Sequence, residues 1–378
     1  MKNKKKIFFY VHFLFCIACK SGTDNSTNDV AVQKINIEQN RHKGKYDLES
    51  LIEDYKIIPL NCPKLIANIN KVKFTKDKMY VQDEKSIALL EFTLDGNFIK
   101  QIGNIGAGPG EYLSVDDFDI DDKTGHVFIL SLEKMSLIEY DKTGKYYSAS
   151  KLPVFASGFL LVENGFLFFL NSNPNELSGT CDLMVFDRKL NFKQRLLCRD
   201  KLSDFIASMS GVLMKNEKGV VVTKMLEGNI YYFEKDSLRH KYFIDFGKNA
   251  LPKEYQTTFA AYNKHCFNYM YLAKPILEND RYLSFYYLSK SKIIWFIWDK
   301  KRHTAFDDNI NFEYRGFAGA IAGFNIIGLK DDYFLARIDA DAIDQYEFNK
   351  SNSSKILKEI KKVNLKNHVL VWFKLKLP

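Results

Sequence analysis

The stretch EFTLDGNFIKQIGNIGAGPGEY, residues 91–112, opens with a phrase that the chain repeats. A short apolar run ends in an aromatic residue. A polar and usually a basic residue follow, and a turn leads into a second apolar run. The copies are LLEF-TLDGNFIKQI, LIEY-DKTGKYYSA, LMVF-DRKLNFKQRL, IYYF-EKDSLRHKYFI, WFIW-DKKRHTAF and QYEF-NKSNSSKIL, anchored at Phe92, Tyr140, Phe186, Phe233, Trp298 and Phe348. Successive anchors lie 48, 46, 47, 65 and 50 residues apart. A near-constant period of this size marks a propeller or an array. Each period holds strands and turns with little helical periodicity, so the expected fold is all-β, a six-bladed β-propeller.

Strand pairs recur inside the periods. KMYVQ (78–82) precedes IALLEF (87–92), HVFIL (126–130) precedes SLIEY (136–140), and YFLAR (333–337) precedes the run at 343–348. Turn residues such as Asp95-Gly96 and Thr143-Gly144 lie between runs. The strands expected innermost are the most continuously apolar, as burial between neighbouring blades requires. A propeller must also close its ring. The strand-like YKIIPL (55–60) and the C-terminal HVLVWFKLK (368–376) are the natural partners, and pairing them removes exposed edges.

The chain of 378 residues is 46% hydrophobic and 27% charged, with 31 Phe and 21 Tyr. Aromatic residues suit half-buried strand faces. The formal charge is +9. It falls to about +5 once Lys2, Lys4, Lys5 and Lys6 leave with a leader, and no run of Lys/Arg marks a nucleic-acid face.

The leader is MKNKKKIFFYVHFLFCIAC, residues 1–19. A basic start precedes an apolar run at 7–18 that is too short to cross a bilayer, which takes roughly 20 helical residues, so it reads as a signal segment. It ends Cys16-Ile17-Ala18-Cys19, similar to a lipobox, which makes Cys19 the expected lipidation site. Residues 20–45 are polar and lack aromatic residues, the composition of a tether between lipid and domain, with room for a short ordered end. The expected organisation is a signal peptide at 1–18, a tether at 19–45 and a propeller at 46–378. The expected address is the cell envelope, on the outer membrane, with the membrane as partner through the N-terminal lipid.

The long spacing between Phe233 and Trp298 points to an insertion at 249–272, NALPKEYQTTFAAYNKHCFNYMYL. Repeat-unit insertions map to loops on one face, often the binding face. Tyr255, Tyr262, His265 and Tyr269 are candidate binding residues there, against the simpler reading of a small helical cap that buries its own aromatics. A second departure, NINFEYRGFAGAIAGFN (309–325), contributes Arg315 to the candidates.

Motifs of chemistry are sparse. Gly103, Gly106, Gly108 and Gly110 invite a phosphate-loop reading, but GxxxxGK[ST] is absent and Pro109 has no N–H to donate. The glycines read instead as an inter-blade turn needing positive φ. The acidic run at Asp116, Asp117, Asp119, Asp121 and Asp122 lacks the Gly and Glu of a calcium loop and reads as a strand with an acidic face. A divalent cation at the propeller axis stays open as the one cofactor to consider, with no residues assigned to it. No HxxxH, HExxH or GxSxG occurs. Cys62, Cys181, Cys198 and Cys266 are expected as free, partly buried thiols, although export permits disulfides.

GNIGAGPGEY (103–112), the acidic strand at 117–121 and VLVWFK (369–374) resemble the six-bladed propeller lipoproteins of Bacteroidales, relatives of NHL-repeat propellers. The resemblance implies an envelope lipoprotein and brings no catalytic residues. The expected function is non-catalytic binding or scaffolding of a protein, peptide or glycan, with no nucleic acid. The alternative is a metal-dependent propeller enzyme, lactonase- or lyase-like, with its site at the central channel.

Overall fold

The computed structural model describes residues 31–40, 48–171, 173, 175–199, 212–224, 226–290, 292–309, 325–339, 354–363 and 367–377. Six antiparallel sheets form the blades, and neighbours in the ring are joined by connections from the outermost strand of one blade to the innermost strand of the next. Blade one is Ile69–Phe74, Lys78–Asp83, Ala88–Thr93 and Phe98–Ile102. Blade two is Asp117–Ile120, Val127–Ser131, Ser136–Tyr140 and Tyr146–Lys151. Blade three is Gly158–Val162, Gly165–Phe169, Cys181–Asp187 and Phe192–Cys198. Blade four is Leu213–Asn216, Gly219–Thr223, Asn229–Glu234 and Ser237–Asp245. Blade five is Met270–Glu278, Tyr282–Ser289, Lys292–Asp299 and Thr304–Asn309. Blade six is Ile326–Lys330, Tyr333–Ile338, Val369–Leu375 and, outermost, Ile52–Pro59.

The ring closes as expected, by pairing of N- and C-terminal strands. Ile57 lies opposite Val371, and Ile58 opposite Leu370. Ile58 and Leu60 then pack with Met79, Val81, Phe92 and Leu370, a cluster shared between the last blade and the first.

The anchors Phe92, Tyr140, Phe186, Phe233 and Trp298 all lie at or next to the end of a third strand, each opposite an apolar residue of the second: Met79, Val127, Phe166, Val220 and Leu283. The sixth anchor needs correction. In blade six that position belongs to Phe373, opposite Phe334, on the C-terminal strand. Phe348 and the strand expected at 343–348 lie outside the described residues.

A second correction concerns burial. The continuously apolar strands are the second and third of each blade, buried at nearly every residue in LLEF and VFIL. The innermost strands are less uniform: INKVKF of blade one is half-exposed where it faces the channel, while DFDI and GFLLV of blades two and three stay mostly buried.

The N-terminal stretch also holds an ordered segment. Gln33–Asn36, within the stretch read as tether, adds a parallel strand to the outer edge of blade four, and Ile35 and Ile37 are buried against Tyr242, Ile244 and Met270. Among the described residues every strand lies between residues 33 and 375, and the chain from Val32 forms one compact unit.

Antiparallel pairing gives the blades two different ends. First-to-second hairpins leave from one end, here the hairpin end, and occupy only 75–77, 121–126, 163–164, 217–218, 279–281 and 331–332. Second-to-third and inter-blade connections leave from the other, the loop end. All the long excursions are there, among them 103–116, 246–269 and 339–368.

Candidate functional site: the axial channel

The innermost strands of all six blades line a channel of about 710 Å³ along the axis. The period-2 alternation of a strand turns Lys71 and Lys73 of blade one and Asp117 and Asp119 of blade two towards it. These four side chains form a ladder across three blades. Lys71 pairs with Asp117 and Lys73 with Asp119. The far carboxylate oxygens accept the Phe159 N–H at 2.8 Å and the Leu161 N–H at 2.7 Å from the inner strand of blade three. Burial lowers the Lys73 pKa from the usual lysine range. For Asp119 burial acts upwards, but the Lys73 and Lys71 ammonium groups outweigh it and hold the carboxyl below its ordinary range. A buried charge is tolerated when it is paired and hydrogen-bonded, and both conditions are met. The acidic strand face is therefore a fastener between blades.

A second polar cluster closes the gap between blades four and five at the hairpin end. Glu278, buried at the end of its strand, accepts hydrogen bonds from Asn216 Nδ2 at 2.6 Å, Lys300 Nζ at 2.7 Å and the Tyr242 hydroxyl at 3.0 Å. Burial raises its pKa against the opposing pull of Lys300. Lys241 sits 3.7 Å above the Tyr232 ring centre and 3.4 Å from Glu278. Burial, then the neighbouring Lys300, Lys218 and Arg239, pull its pKa down to about 8. Among the described residues no group of three His, Cys, Asp or Glu side chains is placed to hold a metal ion.

The family described as "Domain of unknown function (DUF4934)" matches residues 32–374, all six blades. The chain belongs to the DUF4934 family. A "putative exported protein" from Bacteroides fragilis has a similar structure at 17% identity, with a TM-score of 0.77 over 91% of this chain and 100% of that one. A DUF4221 member from Bacteroides vulgatus is similar at 8% identity, TM-score 0.54, over 86% and 97%. The virginiamycin B lyase of Staphylococcus aureus follows at 10% identity and TM-score 0.43, over 75% and 82%. These likenesses are of fold. No curated protein matches the chain.

The residues singled out in the sequence occupy other parts of this DUF4934 propeller. The insertion between blades four and five is a cap of short helical turns and one helix, Phe259–His265, whose N-cap Thr258 accepts the Ala261 N–H. Tyr255 stacks on His265 with ring centres 4.0 Å apart, and Tyr269 tilts against Tyr255. The Tyr262 hydroxyl meets that of Tyr271 at 3.0 Å. Leu226, Leu251, Cys266 and Tyr271 form the buried centre beneath them. The cap therefore gathers Tyr255, Tyr262, His265 and Tyr269 together, half-buried against one another, and none of them lines the channel. Phe259 and Phe267 are exposed on its surface. Arg315 and Cys19 lie outside the described residues.

The glycine loop joins blades one and two. Gly103 and Gly110 have positive φ, at 66° and 73°, and a Cβ on Gly103 would collide with the buried Tyr140 hydroxyl. The Gly108 N–H donates to Glu111 Oε2 at 2.8 Å. Lys134 Nζ donates to the carbonyls of Gly108 and Glu111 at 3.0 and 2.8 Å. The loop's polar groups are taken up by its own Glu111 and by Lys134 and Tyr140 of blade two, as an inter-blade turn requires.

The cysteine expectation is overturned in part. Cys181 and Cys198 form a disulfide, while Cys62 and Cys266 are free and buried. The hairpin register of blade three sets Cys181 directly opposite Cys198, a proximity invisible in the one-dimensional spacing. Sequence reasoning also missed Lys71 and Lys73. Their signal was a Lys-x-Lys whose period matches the Asp-x-Asp of the next blade.

Proposed function

We propose that this DUF4934 chain is an exported, lipid-anchored propeller that binds a protein, peptide or glycan without transforming it, and that the axial channel seats the ligand. The observation that carries this reading is the state of the channel's carboxylates. A metal-dependent site at the axis needs several acidic or imidazole donors converging with free lone pairs. Here Asp117 and Asp119 are bound to lysines and backbone amides, Glu278 to Lys300, Asn216 and Tyr242, Asp122 to Lys215 and Asp116 to Ser114 and the Leu132 N–H; with Glu217 and Asp331, which also line the channel, they form no metal-holding group of three among the described residues. What remains around the channel is a mixed polar and apolar wall that includes Asn279, Lys330, Met214 and Trp372, suited to holding a ligand by hydrogen bonds and apolar contact. The Cys181–Cys198 disulfide supports an oxidising compartment, as does the signal-like leader.

The chain from Val32 is expected to carry no stoichiometric divalent metal after dialysis and to melt at the same temperature with and without chelator. A bound cation whose removal lowers the melting temperature would favour the enzyme reading instead. Envelope glycans and short peptides are then screened by melting. A ligand at a hundredfold its Kd stabilises by about 2.7 kcal/mol, and Lys330→Glu in the channel wall should reduce that gain. Ligands that act equally on the variant would move the site elsewhere.

A further inference from the structure

The channel wall is not the same all round the axis. Inner strands and hairpins supply most of it, yet Leu335 and Trp372, from the second and third strands of blade six, line it as well. Trp372 is the only third-strand residue among the described lining residues. At this blade the channel therefore reaches outward past the inner strand. The cause is Gly328. It lies opposite Leu335, which lies opposite Trp372, so the three form one row across the blade. A Cβ on Gly328 would stand 3.1 Å from that of Leu335. With no side chain there, the row is open to the axis.

Blade one supplies the facing wall. Its inner strand alternates: Lys71 and Lys73 turn to the ladder with blade two, and Val72 and Phe74 turn to blade six. The Phe74 and Trp372 ring centres are 5.3 Å apart. Val72, Phe74, Ile327 and Trp372 pack against Leu335 and Leu370, yet all four stay only half-buried. The result is a slot off the channel between the last blade and the first. Apart from the Trp372 indole N–H, none of its side chains carries a polar atom. A sugar placed there would bury hydroxyls without partners, which costs free energy. A bulky apolar side chain gains by entering it.

Charge beside the slot selects what carries that side chain. Most charges of the channel wall are already paired or hydrogen-bonded. Lys330, Glu217 and Asp331 are the exceptions: they line the channel at its hairpin end, exposed, and their side chains have no partner among the described residues. Lys330 lies two residues beyond Gly328 on the same face, roughly 7 Å along the strand. Its ammonium can meet a carboxylate on the residue that fills the slot. The two carboxylates lie on the other side of Lys330 from the slot. Glu217 belongs to blade four, and the Asp331 carbonyl accepts a hydrogen bond from Asn279 of blade five. One free ammonium and two free carboxylates suit a zwitterion. A neutral or acidic glycan leaves the carboxylates unmet, and a folded protein cannot enter a channel of about 710 Å³.

We propose that the channel takes a short peptide with free ends, whose C-terminal bulky apolar residue fills the slot beside Gly328, with its carboxylate on Lys330 and its amino group on the side of Glu217 and Asp331. This rests on the reading of the channel as the ligand seat and names the class of ligand.

The test titrates the chain from Val32 with the tripeptide Ala-Ala-Phe and follows tryptophan emission and calorimetric heat. Of the three tryptophans, Trp295 and Trp298 are buried and Trp372 is half-buried in the slot, so a change in emission reports the slot. Saturable binding with an emission change is expected. Ala-Ala-Ala should bind more weakly on the order of tenfold or more, for want of the buried ring. Ala-Ala-Phe amide should bind severalfold more weakly than the free acid, and Lys330→Met should erase that difference while keeping the preference for Phe over Ala. Val72→Phe, which fills the slot, should reduce Ala-Ala-Phe to the affinity of Ala-Ala-Ala. Trp372→Phe should remove the emission change and keep the heat. Equal affinity of Ala-Ala-Phe and Ala-Ala-Ala, or no binding of either, overturns the proposal. So does N-acetylphenylalanine binding as tightly as the tripeptide, which would make the ligand a small aryl acid, or an equal emission change with chitobiose, which would make it a glycan. If glycans raise the melting temperature through Lys330 while no peptide binds, the channel remains the ligand seat and only the peptide assignment falls. If no ligand of any class acts through the channel wall, the reading of the channel falls with it.

Discussion

Lys241 shows how a single side chain records its surroundings. Its ammonium lies on the Tyr232 ring and shares Glu278 with Lys300. Burial, then excess positive charge nearby, lowers its pKa to about 8, whereas an unfolded lysine titrates near about 10.4. Between those values the unfolded chain binds more protons than the folded one, so stability rises with pH across that window. Below pH 8 the folded protein carries the full cost of the confined charge. Lys241→Met keeps the side-chain volume and removes the charge, while Glu278 retains Lys300, Asn216 and Tyr242. The variant is expected to melt above the wild type at pH 7, and its advantage should shrink steadily towards pH 10.4. Melting curves over that range check it, and a constant difference would show that Lys241 is not the titrating group. The local sequence, SLRHKYFID, supplies only Arg239 of the groups that shift this lysine; burial and then Lys300, brought in from blade five, act first on the Lys241 pKa.

At the scale of elements, the second and third strands were legible and the innermost strands were not. A strand covered on both faces reads as an apolar run ending in its anchor, as in LLEF or LMVF. A strand that lines the channel here runs for only four to nine residues and mixes charged with apolar side chains. Its pattern is short and mixed, as NKVKF shows, and it merges with the turns around it. The same limit applies to the disulfide. Cys181 begins the third strand of blade three and Cys198 ends the fourth, and only the register makes them neighbours. Closing a loop with a separation of 17 residues removes unfolded-state freedom equivalent to about 3 kcal/mol. Cys181→Ser with Cys198→Ser, or reduction of the wild type, is expected to lower urea-unfolding stability by roughly 2–3 kcal/mol. Blade three should still form, because its remaining hairpins stay packed on Phe159, Phe166, Phe168 and Phe186. Equal stability in oxidised and reduced protein would show that the bond does not constrain the unfolded chain.

For the whole molecule, the repeat period revealed the number of blades even though it misplaced the last one. Phe348 falls 50 residues after Trp298, close to one period, while the true equivalent, Phe373, falls 75 after it because residues 339–368 intervene in blade six. The closure survived that error because it rests on a different signal, two strand-like runs near opposite ends of the chain. Its energetic role can be separated from that of the other N-terminal strand. A chain beginning at Tyr46 loses only Gln33–Asn36 and the helix after it, with the buried Ile35 and Ile37, a loss of about 3–6 kcal/mol. A chain beginning at Asn61 also loses Ile52–Pro59. That removes Ile58 and Leu60 from the cluster joining blades six and one and bares the whole edge of Val369–Leu375. An unpaired strand of seven mostly apolar residues templates association with other chains. The first truncation is expected to stay monomeric with a lowered melting temperature. The second should lose its cooperative transition and associate as concentration rises. Size-exclusion chromatography and melting distinguish them. A monomeric, cooperatively melting chain from Asn61 would mean that the ring holds without its closing strand, and that the contacts between inner strands, the Lys71–Asp117 and Lys73–Asp119 ladder among them, suffice to keep six blades together.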